Sequence, residues 1–268
     1  MTEVQGFLFP RSATGKSSMI PPPPWHYCGD VLSVEYRTDP ERVAELLPTP
    51  LELDDEDPGR VAVAFLDLQS CSDSFEELLD PVCSQYRECL LVVRVKYQGQ
   101  RYTRCIYIWV NQDFAMVRGY HQGYPKKLGS VYLTRPVTMG KAGPRLAPGG
   151  RLGASLAAGD RRLIETRFTI TGKSDTAGIL FSLPGLHHRW MPAVESDGTQ
   201  SMDELISVGG YDFESSEIWT GDVELNMFDS PTEEFTRLAP REILGGYYRS
   251  VAFSWRQGKT LERRLPAS

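Results

Sequence analysis

Lysine is scarce in this chain. Only seven of its 29 basic residues are lysine, and the other 22 are arginine, against 35 acidic residues. The resulting charge of −6 excludes the basic surface that a nucleic-acid binder carries. Histidine is scarcer still, at four: His26, His121, His187 and His188. A zinc or iron centre needs several converging donors, and His187 and His188 would point apart on a strand, so no metal is expected. The acidic run 54–57 lacks the alternating ligand spacing of a calcium loop and reads as a solvated turn. Cysteine numbers five, with no Cys-x-x-Cys spacing. An odd set excludes a closed disulfide framework and fits free thiols in a reducing cytoplasm. Cys89 and Cys105 lie in apolar runs and read as small buried hydrophobes. No run approaches the roughly 18 apolar residues of a membrane span, and residues 1–16 hold no secretory apolar core. Thr-Gly-Lys-Ser occurs at 14–17 and 171–174, but Pro10 and Arg167 stand where a phosphate-binding loop needs its first glycine. Neither a dinucleotide glycine fingerprint nor a Gly-x-Ser-x-Gly elbow is present.

What is there reads as an ordered, turn-rich domain. The chain has 268 residues, 41% hydrophobic, with 24 glycines and 19 prolines. That length supports one sizeable core. Residues 1–25 are polar, then proline-rich, and are expected to form an arm packed on the body or on another subunit. Residues 26–268 read as one domain, α+β but mainly antiparallel β. Alternation predicts a strand over 31–36. A short helix follows, capped by Thr38 or Asp39 with Pro40 in its first turn, and 48–50 ends it. Strands are expected at 61–68, 88–97 and 102–110, the last two forming a hairpin across Gln98-Gly99-Gln100. A short helix is expected within 112–123. Further strands are expected at 130–134, 162–171 and 179–183, with one long or two short strands over 211–228. The stretch 140–153 reads as turns. Short strands at this spacing suit a barrel or sandwich.

Against so few lysines, the pair Lys126-Lys127 stands out; random placement gives roughly 0.2 such pairs in a chain of this composition. An exposed basic turn is the plain interpretation. The alternative is an amine nucleophile, because burial and a nearby positive charge both favour the neutral amine that attacks a carbonyl. Gly123-Tyr124-Pro125-Lys126-Lys127-Leu128-Gly129 resembles the signature of the acetoacetate decarboxylase family, itself a standard example of a lysine activated by a neighbouring cation. Val34-Glu35-Tyr36-Arg37-Thr38-Asp39, Leu47-Pro48-Thr49-Pro50-Leu51-Glu52, Glu217-Ile218-Trp219-Thr220-Gly221, Phe228-Asp229 and Pro240-Arg241-Glu242-Ile243 resemble further family segments in order.

The resemblance implies an antiparallel β-barrel or cone with flanking short helices, and a homo-oligomer. It implies Lys126 as the Schiff-base nucleophile, Lys127 as the charge that activates it, and Glu88 as the family's pocket glutamate. No cofactor beyond the lysine imine is implied. The sequence also departs from the decarboxylases. Gly29 stands where they carry an arginine, the apolar run 61–64 where they carry a glutamate, and Arg118-Gly119-Tyr120 where they carry Gly-Arg-Glu. An electron sink is kept while its surroundings change. This favours a divergent aldolase–dehydratase of secondary metabolism, condensing pyruvate or another 2-oxo acid with an aldehyde. Decarboxylation of a 3-oxo acid is the second expectation, and a non-catalytic small-molecule binder the third. Glu88 is the acid/base candidate. Gln122, Tyr86, Arg118 and Tyr248 are candidate substrate-binding residues; Arg118 also reads as an exposed arginine and Tyr248 as a packing residue.

Overall fold

The computed structural model describes residues 3–195 and 197–264. Its strands are β1 (Trp25–Arg37), β2 (Glu52–Leu53), β3 (Arg60–Ser72), β4 (Gln85–Tyr97), β5 (Gln100–Val110), β6 (Lys126–Leu128), β7 (Ser130–Leu133) and β8 (Arg151–Ala158). They continue as β9 (Arg161–Ser174), β10 (Gly185–Pro192), β11 (Gln200–Val208), β12 (Tyr211–Ser215), β13 (Ile218–Met227), β14 (Glu242–Trp255) and β15 (Gly258–Arg263). Two α-helices interrupt them, α1 (Pro40–Ala44) and α2 (Asp113–His121). Asp39 caps α1 by accepting from the Glu41 amide, and Pro40 sits in its first turn, as the sequence predicts.

All fifteen strands join one sheet; twelve run in the order β15-β11-β10-β5-β4-β3-β1-β14-β13-β9-β8-β7, while β2 pairs with β4, β6 with β5 and β12 with β14 off that path. Almost every pairing is antiparallel, which bears out the mainly antiparallel class. The ladder stays open, ending at β15 and β7, with β7 packing back across β3, β4 and β5. The β4–β5 turn places Gln98 and Gly99 at φ 50° and 77°, the left-handed pair that matches the twist of a two-residue hairpin. The edge of β5 away from β4 is shared: β10 joins it in parallel at Thr103, and β6 in parallel at 108–110.

The central strands are covered on both faces. One face of β1, β3 and β4 sends Leu32, Tyr36, Val63, Phe65 and Leu91 into a core with Trp109 and Phe235. The other sends Trp25, Tyr27, Leu66 and Tyr86 into a second core with Ile108 and Phe114. Strands buried on both sides read as continuous apolar runs, which is why 61–68 and 89–95 are so legible. Each fully buried large apolar side chain contributes about 1.5–3 kcal/mol.

The arm, as far as it is described, lies on its own body. Ile20 is 1% exposed in the second core, and Leu8 packs against the same cluster. Two sequence expectations need correction. Residues 179–183 form a turn whose Ile179 amide donates to the buried Glu35 carboxylate; an apolar run gave a strand signal that this buried acceptor overrides. Strand β8 begins inside the 140–153 stretch expected to be turns. The segment 211–228 resolves into two strands, and β10, β11, β14 and β15 had no clear periodic signal.

Candidate active site

Lys126 opens β6 immediately after Pro125, and alternation along that short strand sends its side chain toward the second core. It is 7% exposed, and its Nζ donates to Glu88 Oε2 at 2.7 Å. Glu88 lies on β4, 8% exposed, and reaches the lysine across β5, which pairs with both β4 and β6. Tyr86, two residues before it on the same strand face, places its ring centroid 5.5 Å from the ammonium, and Tyr124 does so at 5.7 Å. Burial holds the hydroxyls of Tyr86 and Tyr124 above the usual phenol range, so both remain neutral donors at ordinary pH.

A cavity of about 360 Å³ opens above this pair, lined also by Arg118 and Gln122. Both come from the end of α2. Arg118 is 3% exposed and stacks over the rings of Trp25 and Phe114 at 5.0 and 5.4 Å. It donates from Nη1 to Ser70 Oγ at 2.8 Å, while its buried Nε has no partner among the described residues. A buried guanidinium with a spare donor and no carboxylate beside it is suited to an anion supplied by a ligand. The reading of Arg118 as an exposed residue therefore fails. Gln122 is the C-terminal cap residue of α2 and faces the same cavity.

The structure brings together Lys126, Glu88, Tyr86, Gln122 and Arg118. It separates two others. Lys127 projects to the opposite sheet face, where its half-exposed ammonium pairs with Glu233 at 2.5 Å and lies 6.0 Å from the Trp109 ring. Adjacent strand residues point apart, so the charge implied to act on Lys126 is directed away from it. Tyr248 faces the first core and donates to Asp30 at 2.8 Å, so it packs and does not line the cavity. Gly29 has no room for a longer side chain: a Cβ there would run into the Asp67 backbone carbonyl.

Residues beyond the sequence candidates complete the wall. Tyr27 contacts Arg118 and Gln122, and burial raises its hydroxyl. Phe253 stacks on Tyr27 at 4.9 Å, and Phe181 and Phe213 close the mouth beside it. Strand parity identifies Tyr27 once β1 is extended to residue 25. Phe181 comes from the turn at 178–184 and Phe213 from β12, both distant in sequence, and neither carries a local signal that it joins the site. Among the described residues no group of three or more His, Cys, Asp or Glu side chains is placed to hold a metal ion. No described helix is long and apolar enough to cross a membrane.

Known proteins resemble this chain in sequence and in fold. The chain is 27% identical to acetoacetate decarboxylase 1 of Bradyrhizobium diazoefficiens over 238 residues, covering 85% of this chain and 83% of that protein. The enduracididine biosynthesis enzyme MppR, solved with the condensation product of pyruvate and imidazole 4-carboxaldehyde, superposes with a TM-score of 0.91. It is 37% identical, and 98% of each chain is covered. An acetoacetate decarboxylase-like enzyme from Sphingomonas wittichii RW1 gives a TM-score of 0.88 at 27% identity, covering 97% of this chain and 100% of that one. These likenesses indicate an enzyme. With a family match extending over residues 9–265, the chain belongs to the acetoacetate decarboxylase family.

Proposed function

We propose that this protein is a Schiff-base aldolase–dehydratase, a lyase that joins pyruvate or a related 2-oxo acid to an aldehyde. The observation that carries the reading is the enclosed Lys126–Glu88 pair, 2.7 Å apart, beneath a cavity with a buried arginine but no second carboxylate lining it. The likeness to MppR, solved with pyruvate and with its condensation product, supports it and the place in secondary metabolism.

Lys126 passes a proton to Glu88, its neutral Nζ attacks C2 of pyruvate, and Glu88 returns the proton to the carbinolamine oxygen, which leaves as water to give an iminium and the Glu88 carboxylate. The Glu88 carboxylate removes a C3 proton, leaving an enamine. Enamine C3 attacks the aldehyde carbon, and the aldehyde oxygen takes a proton. Loss of a second C3 proton with that hydroxyl, as water, forms the double bond. Hydrolysis frees Lys126 and a 2-oxo-3-enoate. One pyruvate and one aldehyde thus yield one product and one water. Arg118 holds the substrate carboxylate, and Gln122 and Tyr86 donate to oxygens near C2. A base within hydrogen-bond reach of the reacting nitrogen contributes about 10²–10⁴ in rate.

Decarboxylation of a 3-oxo acid uses the same iminium and loses CO2 in place of the C3 proton. Its support is the family itself, whose curated relatives carry that name. Gly29 and the buried apolar strand 61–64 supply none of the polar groups the decarboxylases carry there. Borohydride reduction with saturating pyruvate, followed by peptide mass spectrometry, should place a pyruvate-derived adduct on Lys126. An unmodified Lys126 refutes the aldolase reading. CO2 release from acetoacetate that disappears in Lys126→Ala, with no pyruvate adduct, establishes the decarboxylase instead.

A further inference from the structure

The way Lys126 reaches Glu88 depends on the last turn of α2. That helix ends in a glycine-capped reversal. Gly123 takes φ 79°, the Gly123 amide donates to the Tyr120 carbonyl at 3.2 Å, and the Tyr124 amide donates to the Gly119 carbonyl at 2.9 Å. This is the Schellman pattern, which turns the chain back along the helix it has just left. Residues 124–126 therefore run beside the turn formed by 118–122, and the Tyr120 hydroxyl fixes the return by donating to the Lys126 carbonyl at 2.8 Å.

Such a reversal commonly seats an apolar side chain on the third residue from the helix end. Here that residue is Gly119, and the lysine itself occupies the space. A Cβ built on Gly119 would lie 2.6 Å from Lys126 Cε and 2.8 Å from Cγ, and closer still to Cδ. Real Cβ atoms do not approach carbon so closely, and three successive methylenes are involved. The lysine cannot swing aside, because its backbone is paired to Ile108 in β5 and its Nζ is held by Glu88.

We propose that Gly119 is a positioning residue for Lys126: its missing side chain forms a notch across which the lysine stem passes from β6 to Glu88. The inference rests on Lys126 being the reacting amine. Glycine in a helix is otherwise a disadvantage, since alanine is the better helix former. A purely helical role predicts that Gly119→Ala raises the melting temperature and leaves the amine chemistry unchanged. The notch predicts the reverse.

Two measurements decide it. In folded Gly119→Ala, borohydride trapping of pyruvate on Lys126 should fall at least tenfold, with the circular dichroism spectrum retained. Trapping at the wild-type rate overturns the proposal. The melting temperature of Gly119→Ala should drop in the wild-type background and rise or hold in a Lys126→Ala background, where the notch is empty. Equal shifts in both backgrounds overturn it too. This second cycle needs no substrate and reads the notch even if Gly119→Ala is poorly folded. Wild-type protein that traps no pyruvate refutes the proposed function, while the thermal cycle still judges the notch.

Discussion

At the scale of single residues, burial keeps three tyrosines of the cavity wall, Tyr27, Tyr86 and Tyr124, neutral, and it does the same to a histidine packed against Tyr124 outside the lining. His187 on β10 is 2% exposed, its ring centroid 4.0 Å from that of Tyr124, and neither ring nitrogen has a partner among the described residues. Burial, reinforced by the nearby Arg104 guanidinium, lowers its pKa from 6.5 to about 3. Unfolded chains bind a proton at this histidine below about 6.5 and the folded protein does not until about 3, so its contribution is fully present above pH 6.5 and fades as pH falls. Denaturant unfolding measured from pH 7 to pH 4 should show a stability slope that is shallower in His187→Phe, by up to about 1.4 kcal/mol per pH unit. An unchanged slope would show that the histidine is protonated equally in both states. His187 was legible only as one of an adjacent pair that strand geometry would split. His188, on the other side, pairs with Asp203 at 2.8 Å. Arg118 shows the limit of such reading: nothing local distinguishes an arginine over aromatic rings from one in water.

At the scale of elements, strand parity decides which lysine does what. β6 has only three residues, yet it places Lys126 and Lys127 on opposite faces of the sheet. Lys127 ties that strand to the Glu233 carboxylate, which is 7% exposed. Removing the lysine leaves that carboxylate without its partner, while the half-exposed ammonium moderates the loss. Lys127→Ala should therefore destabilise by about 1–3 kcal/mol in urea unfolding. Lys127→Arg should stay near wild type, and adding Glu233→Gln to Lys127→Ala should recover most of the loss. Additive effects of the two substitutions would mean that the pair is not coupled. The turn at 178–184 shows why element boundaries escaped the sequence. Its apolar run resembles a strand, but the Glu35 carboxylate, paired with Arg60, captures the Ile179 amide from 144 residues away.

At the scale of the whole molecule, one open sheet separates two cores, and the cavity belongs to the second. Ile20 from the arm is part of that core, together with Trp25 and Trp255, which stack at 4.9 Å beneath the cavity wall. Ile20→Ala should cost about 2–5 kcal/mol. If the arm serves its own body, as its burial indicates, the loss should not change with protein concentration; a concentration-dependent loss would mark an intersubunit arm. The sequence by itself determined the mainly antiparallel class, the hairpin, the capped first helix and the lysine motif. Each rests on local period, turn chemistry or a contiguous pattern. Pairing Glu88 with Lys126 came from family likeness, since 38 residues separate them. Only the tertiary structure decided that Lys127 faces away and that Tyr248 packs. It also decided that Phe181 and Phe213 close the mouth and that Gly119 clears the path of Lys126. Those facts depend on which residues from distant strands share a face and how closely they approach, and no local pattern encodes that.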